Sequence, residues 1–397
     1  MTTASFDSTL RTRLVFGPGC LDRLGELAAG LGGHRVLLVT DPGIVKAGHA
    51  SRAEALLRAA GLEVAVFDAV RENPTTLDVG RGLEAARAAS VDLFVGLGGG
   101  SSIDTAKGVN FLLTQGGRMR DYQGVGKATR QMLPLIAIPT TAGTGSECQS
   151  AALIADEETH HKMACLDPKA AARIALLDPV LTVSQPRRVT AQTGIDALVH
   201  AVEAAVTTRR TVWSGLFARE AFRLCAGALE TVLETPGDLE ARGRMLLGAA
   251  LAGTAIENSM LGAAHSAANP LTAQFGVVHG AAVGLMIPGV IRFNAALPEV
   301  QALYADLVAA AGWTGLEGID ASSGTSPGTA AAEVLARRFE GWLRTAGLPT
   351  TLAGAGVDPS RIPRLAEEAA RQWTATFNPR PIGAPDFERL YRQAHGV

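Results

Sequence analysis

Along the first half of the chain, short continuous apolar runs alternate with helical patterns. RVLLVT (35–40), EVAVF (63–67), VDLFVGLG (91–98) and LPLIAIPT (133–140) are apolar on nearly every residue and rich in β-branched side chains. Half-exposed strands alternate apolar and polar residues, so these runs predict strands buried on both faces. Between them, residues 50–60, 78–89 and 101–113 show the spacing of amphipathic helices. Such alternation predicts an α/β domain with a parallel sheet covered on both sides. From about Val189 the pattern changes to long Ala/Leu-rich helices at 190–207, 212–234, 238–258, 261–274, 280–293, 298–311 and 329–346. LTVSQPRRVT (181–190), with Pro186, separates the two styles. The expected organisation is an α/β domain over 1–185 and an all-helical domain over 186–397. The Gly/Ser/Thr-rich stretch 314–330 is expected to be a surface loop.

Composition narrows the function classes. A chain of 397 residues is long enough for two cores. Its net charge of −2 offers no electrostatic footprint for nucleic acid, and no basic cluster suits an anionic membrane. AAVGLMIPGVI (281–291) is too short to span a bilayer and contains Pro288. MTTASFDSTLRTRL lacks an apolar signal core, so a cytoplasmic location is expected. Cys20, Cys148, Cys165 and Cys225 are scattered and read as reduced thiols. His34, His49 and His395 lie in polar or terminal surroundings and read as surface residues, and His160 and His161 as part of a solvated turn.

The candidate chemistry starts at strand ends. GLGGGSSIDTAK (96–107) joins a buried strand to a helix. Gly98, Gly99 and Gly100 allow close approach of the backbone, and the helix starting near Ser101 offers unpaired N–H groups to a pyrophosphate. A tight strand–helix turn with no ligand is the competing reading. PTTAGTGSE (139–147) also follows a strand, and Thr140, Thr141, Thr144 and Ser146 offer hydroxyls that suit the pyrophosphate or nicotinamide end of a dinucleotide, a glycine-rich surface loop being the alternative. Asp41, at the end of RVLLVT, is placed to accept from ribose hydroxyls and to repel a 2′-phosphate, favouring NAD over NADP. A plain turn aspartate remains the alternative there.

In the helical half, Asp196 and His200 are four residues apart and share one helix face. His265 and His279 add two imidazoles from an apolar, Gly/Ala-rich region. One carboxylate and three imidazoles suit divalent iron or zinc.

Taken together, LVFGPG (14–19), GGGSSIDTAK (98–107), IPTTAGTGSE (138–147), GIDALVHAVEA (194–204), AAHSAANPL…VVHG (263–280) and NPRP (378–381) resemble the iron-containing (group III) alcohol dehydrogenases. The resemblance covers nearly the whole chain. It implies an N-terminal dinucleotide-binding domain, a C-terminal all-helical domain, and commonly a homodimer. It implies that Asp196, His200, His265 and His279 hold the metal, Fe²⁺ with Zn²⁺ as the alternative. It also implies that Asp41, Asn73, Gly98, Gly99, Gly100, Ser101, Ser102, Asp104, Thr140, Thr141, Thr144, Ser146 and Lys162 serve NAD(H). Better-known members carry a further histidine four residues after the third ligand; here that position is Asn269. An amide is no general acid or base near neutral pH, so Asn269 is expected to contact substrate or cofactor instead. The expected activity is reversible hydride transfer between a primary alcohol and an aldehyde, in the direction of aldehyde reduction. A functionalised aldehyde such as a semialdehyde or phosphonoacetaldehyde competes as substrate. A zinc enzyme like glycerol dehydrogenase or dehydroquinate synthase, and a non-catalytic metal- and nucleotide-binding protein, are the other readings.

Overall fold

The computed structural model describes residues 5–158, 162–313 and 327–397. The turn holding His160 and His161, and residues 314–326 of the expected surface loop, lie outside the described residues. The chain divides into two compact units: Thr9–Gln185, and Pro186–Val397 together with residues 5–8.

Among its described residues the first unit holds nine strands: β1 (Arg13–Phe16), β2 (Arg35–Val39), β3 (Glu63–Phe67), β4 (Leu93–Gly98), β5 (Gly124–Val125), β6 (Leu135–Pro139), β7 (Ala151–Ala155), β8 (Lys162–Leu166) and β9 (Ile174–Leu177). Five helices accompany them: α1 (Leu24–Ala29), α2 (Pro42–Lys46), α3 (His49–Ala59), α4 (Thr76–Ala88) and α5 (Gly100–Gln115). Six strands form a parallel sheet in the order β1-β9-β6-β4-β2-β3, and a smaller sheet runs β5-β8-β7. The pleat explains the continuous apolar runs. Leu37, Val39, Phe94 and Leu135 point to one core with Ile103 and Val109 of α5. Their neighbours Val36, Leu38, Leu93, Val95 and Ile136 point to the other, with Leu24 of α1 and Leu57 of α3. β2 lies between β3 and β4, so chain order reverses between β2 and β4. Ligands of open α/β sheets bind outside the carboxyl ends of strands at such a reversal.

The second unit is helical: α6 (Arg187–Val206), α7 (Val212–Ala226), α8 (Leu229–Glu234), α9 (Leu239–Ser259), α10 (Ala263–Phe275), α11 (His279–Asn294), α12 (Pro298–Ala310), α13 (Pro327–Ala346), α14 (Ile362–Ala370) and α15 (Ala384–His395). The single helix expected over 212–234 is two, because Gly227 ends α7 and the chain turns before Leu229. α13 starts at Pro327, a residue suited to the first helical position, so the last residues of the expected loop are helical. His395 is a further correction. It is buried, with Nε2 3.0 Å from the Val357 carbonyl oxygen, because α15 folds its last turn inward. α6 is buried nearly all round, from Thr190 to Val206, between α7, α9 and α11. Charged groups on such a helix must find partners, since an isolated buried charge is strongly unfavourable. Among the described residues no helix is long and apolar enough to cross a membrane.

Candidate functional site

At the reversal in the sheet, Asp41 follows β2 and caps α2: its Oδ1 accepts from the backbone N–H of Gly43 at 2.9 Å and of Ile44 at 3.1 Å. Its second oxygen lies 3.3 Å from Ser102 Oγ, on the first turn of α5. Gly98 ends β4 with φ +148, which side chains rarely adopt, and a Cβ there would stand 3.0 Å from Asp41 Oδ2. Gly99 precedes α5 with no side chain to cap it. The second loop folds over the first. Thr140 N–H donates to Gly98 O at 2.9 Å, and a Cβ on Gly100 would meet Thr144 Cγ2 at 2.8 Å. Asp41, Gly98–Ser102, Thr140, Thr141 and Thr144 are thus brought together.

The remaining cofactor candidates stand elsewhere. Asp104 and Ser146 are buried behind the loops, where Ser146 Oγ donates to Asp104 Oδ1 at 2.5 Å and Leu153 N–H reaches Asp104 Oδ2 at 3.3 Å. Burial pushes the Asp104 carboxyl up, opposed by Lys107, Ser146 and Lys162. Lys107, unmarked in the sequence reading, is fully buried and donates to the carbonyls of Ser146, Gln149 and Ala151 at 2.7–2.8 Å. It fastens the second loop to α5. Lys162 opens β8 opposite Ala155, and Asn73 is exposed on the loop before α4 with φ 53.

In the helical unit, Asp196 and His200 leave α6 one turn apart, His265 comes from the first turn of α10, and His279 opens α11. Asp196 Oδ1 is 3.5 Å from His200 Nε2, 3.5 Å from His265 Nε2 and 3.8 Å from His279 Nε2. The His200 and His265 rings stack with centroids 4.7 Å apart. Asp196, His200 and His265 are at most 5% exposed. Burial would push the Asp196 carboxyl up, but His200, His265 and His279 hold it well below the ordinary carboxylate range. Burial likewise disfavours protonated His265, yet Asp196 and Glu203 push it up to about 9.

A divalent ion fits this arrangement. Asp196 Oδ1 and His265 Nε2 are buried atoms with no hydrogen-bond partner. The donor atoms of Asp196, His265 and His279 all lie within 4.8 Å of one another. Tetrahedral ligands at ordinary iron or zinc bond lengths stand about 3.4 Å apart, close to the separations here. Glu203, also missed in the sequence reading, completes the cluster. Its Oε2 lies 2.6 Å from His265 Nδ1, and its Oε1 accepts from Ala264 N–H at 2.7 Å. That contact favours the Nδ1–H tautomer and leaves Nε2 to the cluster. The signal was in phase: Glu203 follows Asp196 by seven residues on the same face of α6. Asn269, one turn past His265, donates from Nδ2 to Gln372 Oε1 at 3.1 Å. Asn378 of NPRP caps the structure nearby, exchanging hydrogen bonds with Asn294 and accepting from Ala263 N–H at 3.4 Å.

A parallel sheet with glycine loops at its reversal, and an Asp–His–His–His cluster in a helical unit, buried except for His279, suit a nucleotide- and metal-dependent enzyme. Comparison with known proteins agrees. Residues 11–179 match the iron-containing alcohol dehydrogenase family, and residues 190–395 match the C-terminal part of the Fe-containing alcohol dehydrogenase family. The chain is 34% identical to a 1,3-propanediol dehydrogenase of Klebsiella pneumoniae, covering 99% of this chain and 100% of that one. It is 33% identical to an NAD-dependent methanol dehydrogenase of Bacillus methanolicus, covering 96% and 97%. A solved 1,3-propanediol oxidoreductase superposes with a TM-score of 0.92 at 32% identity, covering 98% of this chain and 100% of that one. The chain belongs to the iron-containing alcohol dehydrogenase family and is an NAD-dependent oxidoreductase that interconverts alcohols and aldehydes.

Proposed function

We propose that this protein reduces a primary aldehyde to its alcohol with NADH, using Fe²⁺ held by Asp196, His200, His265 and His279. The observation that carries this reading is the pair of buried, unpartnered donor atoms, Asp196 Oδ1 and His265 Nε2, facing His200 and His279. When bound, the ion supplies Lewis acidity toward the substrate oxygen, and NAD(H) supplies the hydride carrier. The protein's own part is positioning. Glu203 fixes the His265 ring, while Gly98–Ser102 and the Thr140–Thr144 loop cradle the pyrophosphate, with Lys107, Asp104 and Ser146 holding that cradle from behind. Asn73 and Lys162, which stand apart from those loops, join the nucleotide's surroundings in this reading on the family resemblance alone. Asp41 reads the adenosine ribose through Oδ2 and disfavours a 2′-phosphate, giving preference for NAD(H) over NADP(H). Reduction consumes a proton, so neutral pH favours the alcohol by mass action. Asn269 cannot donate that proton, which leaves water, a cofactor ribose hydroxyl or another side chain as its source. The working unit is a homodimer in the cytoplasm.

NADH oxidation should be followed across plain, carboxylated and phosphonylated aldehydes, with metal-stripped protein reloaded with Fe²⁺ or Zn²⁺. Turnover that returns with Fe²⁺ supports the reading. Full turnover in stripped protein removes the metal from it, and restoration by Zn²⁺ alone replaces the ion.

A further inference from the structure

α10 begins without a cap of its own. Gly262 precedes it and has no side chain to offer, while the first N–H groups of a helix have no partner inside it. Two side chains from outside meet that need. Glu203 Oε1 accepts from Ala264 N–H at 2.7 Å, and Asn378 Oδ1 approaches Ala263 N–H at 3.4 Å. A Cβ on Gly262 would stand 3.0 Å from the Glu203 oxygen and 3.2 Å from the Asn378 oxygen, so both crowd one point of the backbone. His265, the third residue of α10, thus leaves a turn whose place is set from outside the helix.

Asn378 is buried, and its own position is fixed. Its Oδ1 also accepts from Asn294 Nδ2 at 3.1 Å, and its Nδ2 donates to Asn294 Oδ1 and to the Arg380 carbonyl, both at 2.7 Å. Asn294 is the last residue of α11, equally buried, and hydrogen-bonds the hydroxyl of Tyr304 on α12. The chain on either side of Asn378 is tied down as well. Thr208 N–H, just past α6, donates to Phe377 O at 2.9 Å. Thr374 Oγ1 lies 2.7 Å from Ser266 Oγ on α10, and Arg380 Nη1 donates to Phe293 O on α11 at 2.8 Å. Residues 374–380 therefore form a strap fastened to α6, α10 and α11, the three helices that carry the candidate ligands. Apolar contact is non-directional, whereas a buried amide pair fixes both distance and angle.

We propose that Asn378 is a positioning residue for the metal: it holds the first turn of α10 against Glu203 and so sets His265 Nε2 at its 3.5 Å from Asp196 Oδ1. This rests on the metal reading of the Asp196 cluster. Asn378 acts through the backbone of α10 and not as a ligand.

The test measures Fe²⁺ and Co²⁺ affinity by chelator competition, with the visible absorption bands of bound Co²⁺ reporting ligand geometry. NADH binding and thermal unfolding of the metal-free protein are followed alongside. Asn378→Ala is expected to weaken both ions about tenfold and to alter the Co²⁺ bands, with NADH affinity unchanged. Asn378→Asp keeps the size and the acceptor but loses both N–H bonds; it should act the same way and guards against a folding defect in the first variant. Gly262→Ala reaches the same turn without removing a polar group and should also weaken the metal. Trp342→Phe, which loses the indole bond to Glu230 at 3.0 Å, controls for destabilisation: it should lower Tm and leave metal affinity and spectrum as they are. Asn378 variants with a lower Tm but wild-type metal affinity and Co²⁺ bands would show a purely structural role and overturn the proposal. Equal metal loss in Trp342→Phe would overturn it too. Wild type that binds neither ion fails the metal reading, and the proposal with it.

Discussion

In the sheet unit the candidate site is made of backbone. Gly98–Gly100 and the Thr140–Thr144 loop lie so close that a single methyl on Gly100 would meet Thr144 at 2.8 Å. In the helical unit the site is made of side chains: Asp196, His200, His265 and His279 converge from three helices, and Glu203 orients one of them. The difference sets how each fails. A backbone cradle is damaged by added bulk and retains partial binding. A ligand cluster is damaged by removal, because the remaining charges are buried without their partner.

The largest expected effect is at His265. Its replacement by Ala should abolish metal loading and lower turnover by at least ~10³-fold, while NADH still binds. Metal analysis and NADH fluorescence titration check the two halves. Loss of both together would mean that the two regions are not separable as described.

Next comes Glu203→Gln, expected to weaken metal affinity by roughly 10–100-fold with little change in NADH affinity. A pH series sharpens this. Asp196 and Glu203 push His265 up to about 9, against its burial, so at lower pH an incoming metal displaces a proton. Apparent affinity should therefore rise with pH, by up to ~10-fold per unit, and level off near the free-site value. Removing the Glu203 charge should move that plateau to lower pH. An unchanged plateau in Glu203→Gln would sever Glu203 from His265.

Gly100→Ala tests the other region. Overpacking costs roughly 1–3 kcal/mol, so NADH should bind about tenfold more weakly while metal content stays the same. Asp41→Gly should have the smallest effect on overall rate. Its readout is the NAD-to-NADP ratio of kcat/KM, expected to fall about tenfold. An unchanged ratio would leave Asp41 as a helix cap alone.

Much of the fold was legible because burial on both faces writes itself as uninterrupted apolar runs. β2, β4 and β6 have interior places in the sheet and stood out for that reason. β1 and β9 did not. β1 is a four-residue edge strand with only Val15 buried, and β9, IALL, is too short to establish a period. The β7–β8 pair also went unread, and so did the last helices, α14 and α15, although both carry a clear amphipathic pattern: Ile362, Leu365, Ala366 and Ala369 are buried on one face of α14, and Phe387, Leu390 and Tyr391 on one face of α15. Within the site, the metal candidates were visible as histidines in apolar surroundings. Glu203 and Lys107 were not, although each lies inside a quoted motif. Charged residues normally face solvent, and only the packing of α5 and α6 shows that these two are inside. His395 was misread for the same reason in reverse, its terminal position suggesting exposure that the fold denies.

The central claim is that Asp196, His200, His265 and His279 hold one catalytic divalent ion. It is tested most directly by metal analysis and turnover of anaerobically purified wild type beside His265→Ala. The account predicts about one iron per chain in the wild type, none in the variant, and aldehyde reduction that follows iron content. Full turnover by metal-free wild type, or by the variant, would contradict it.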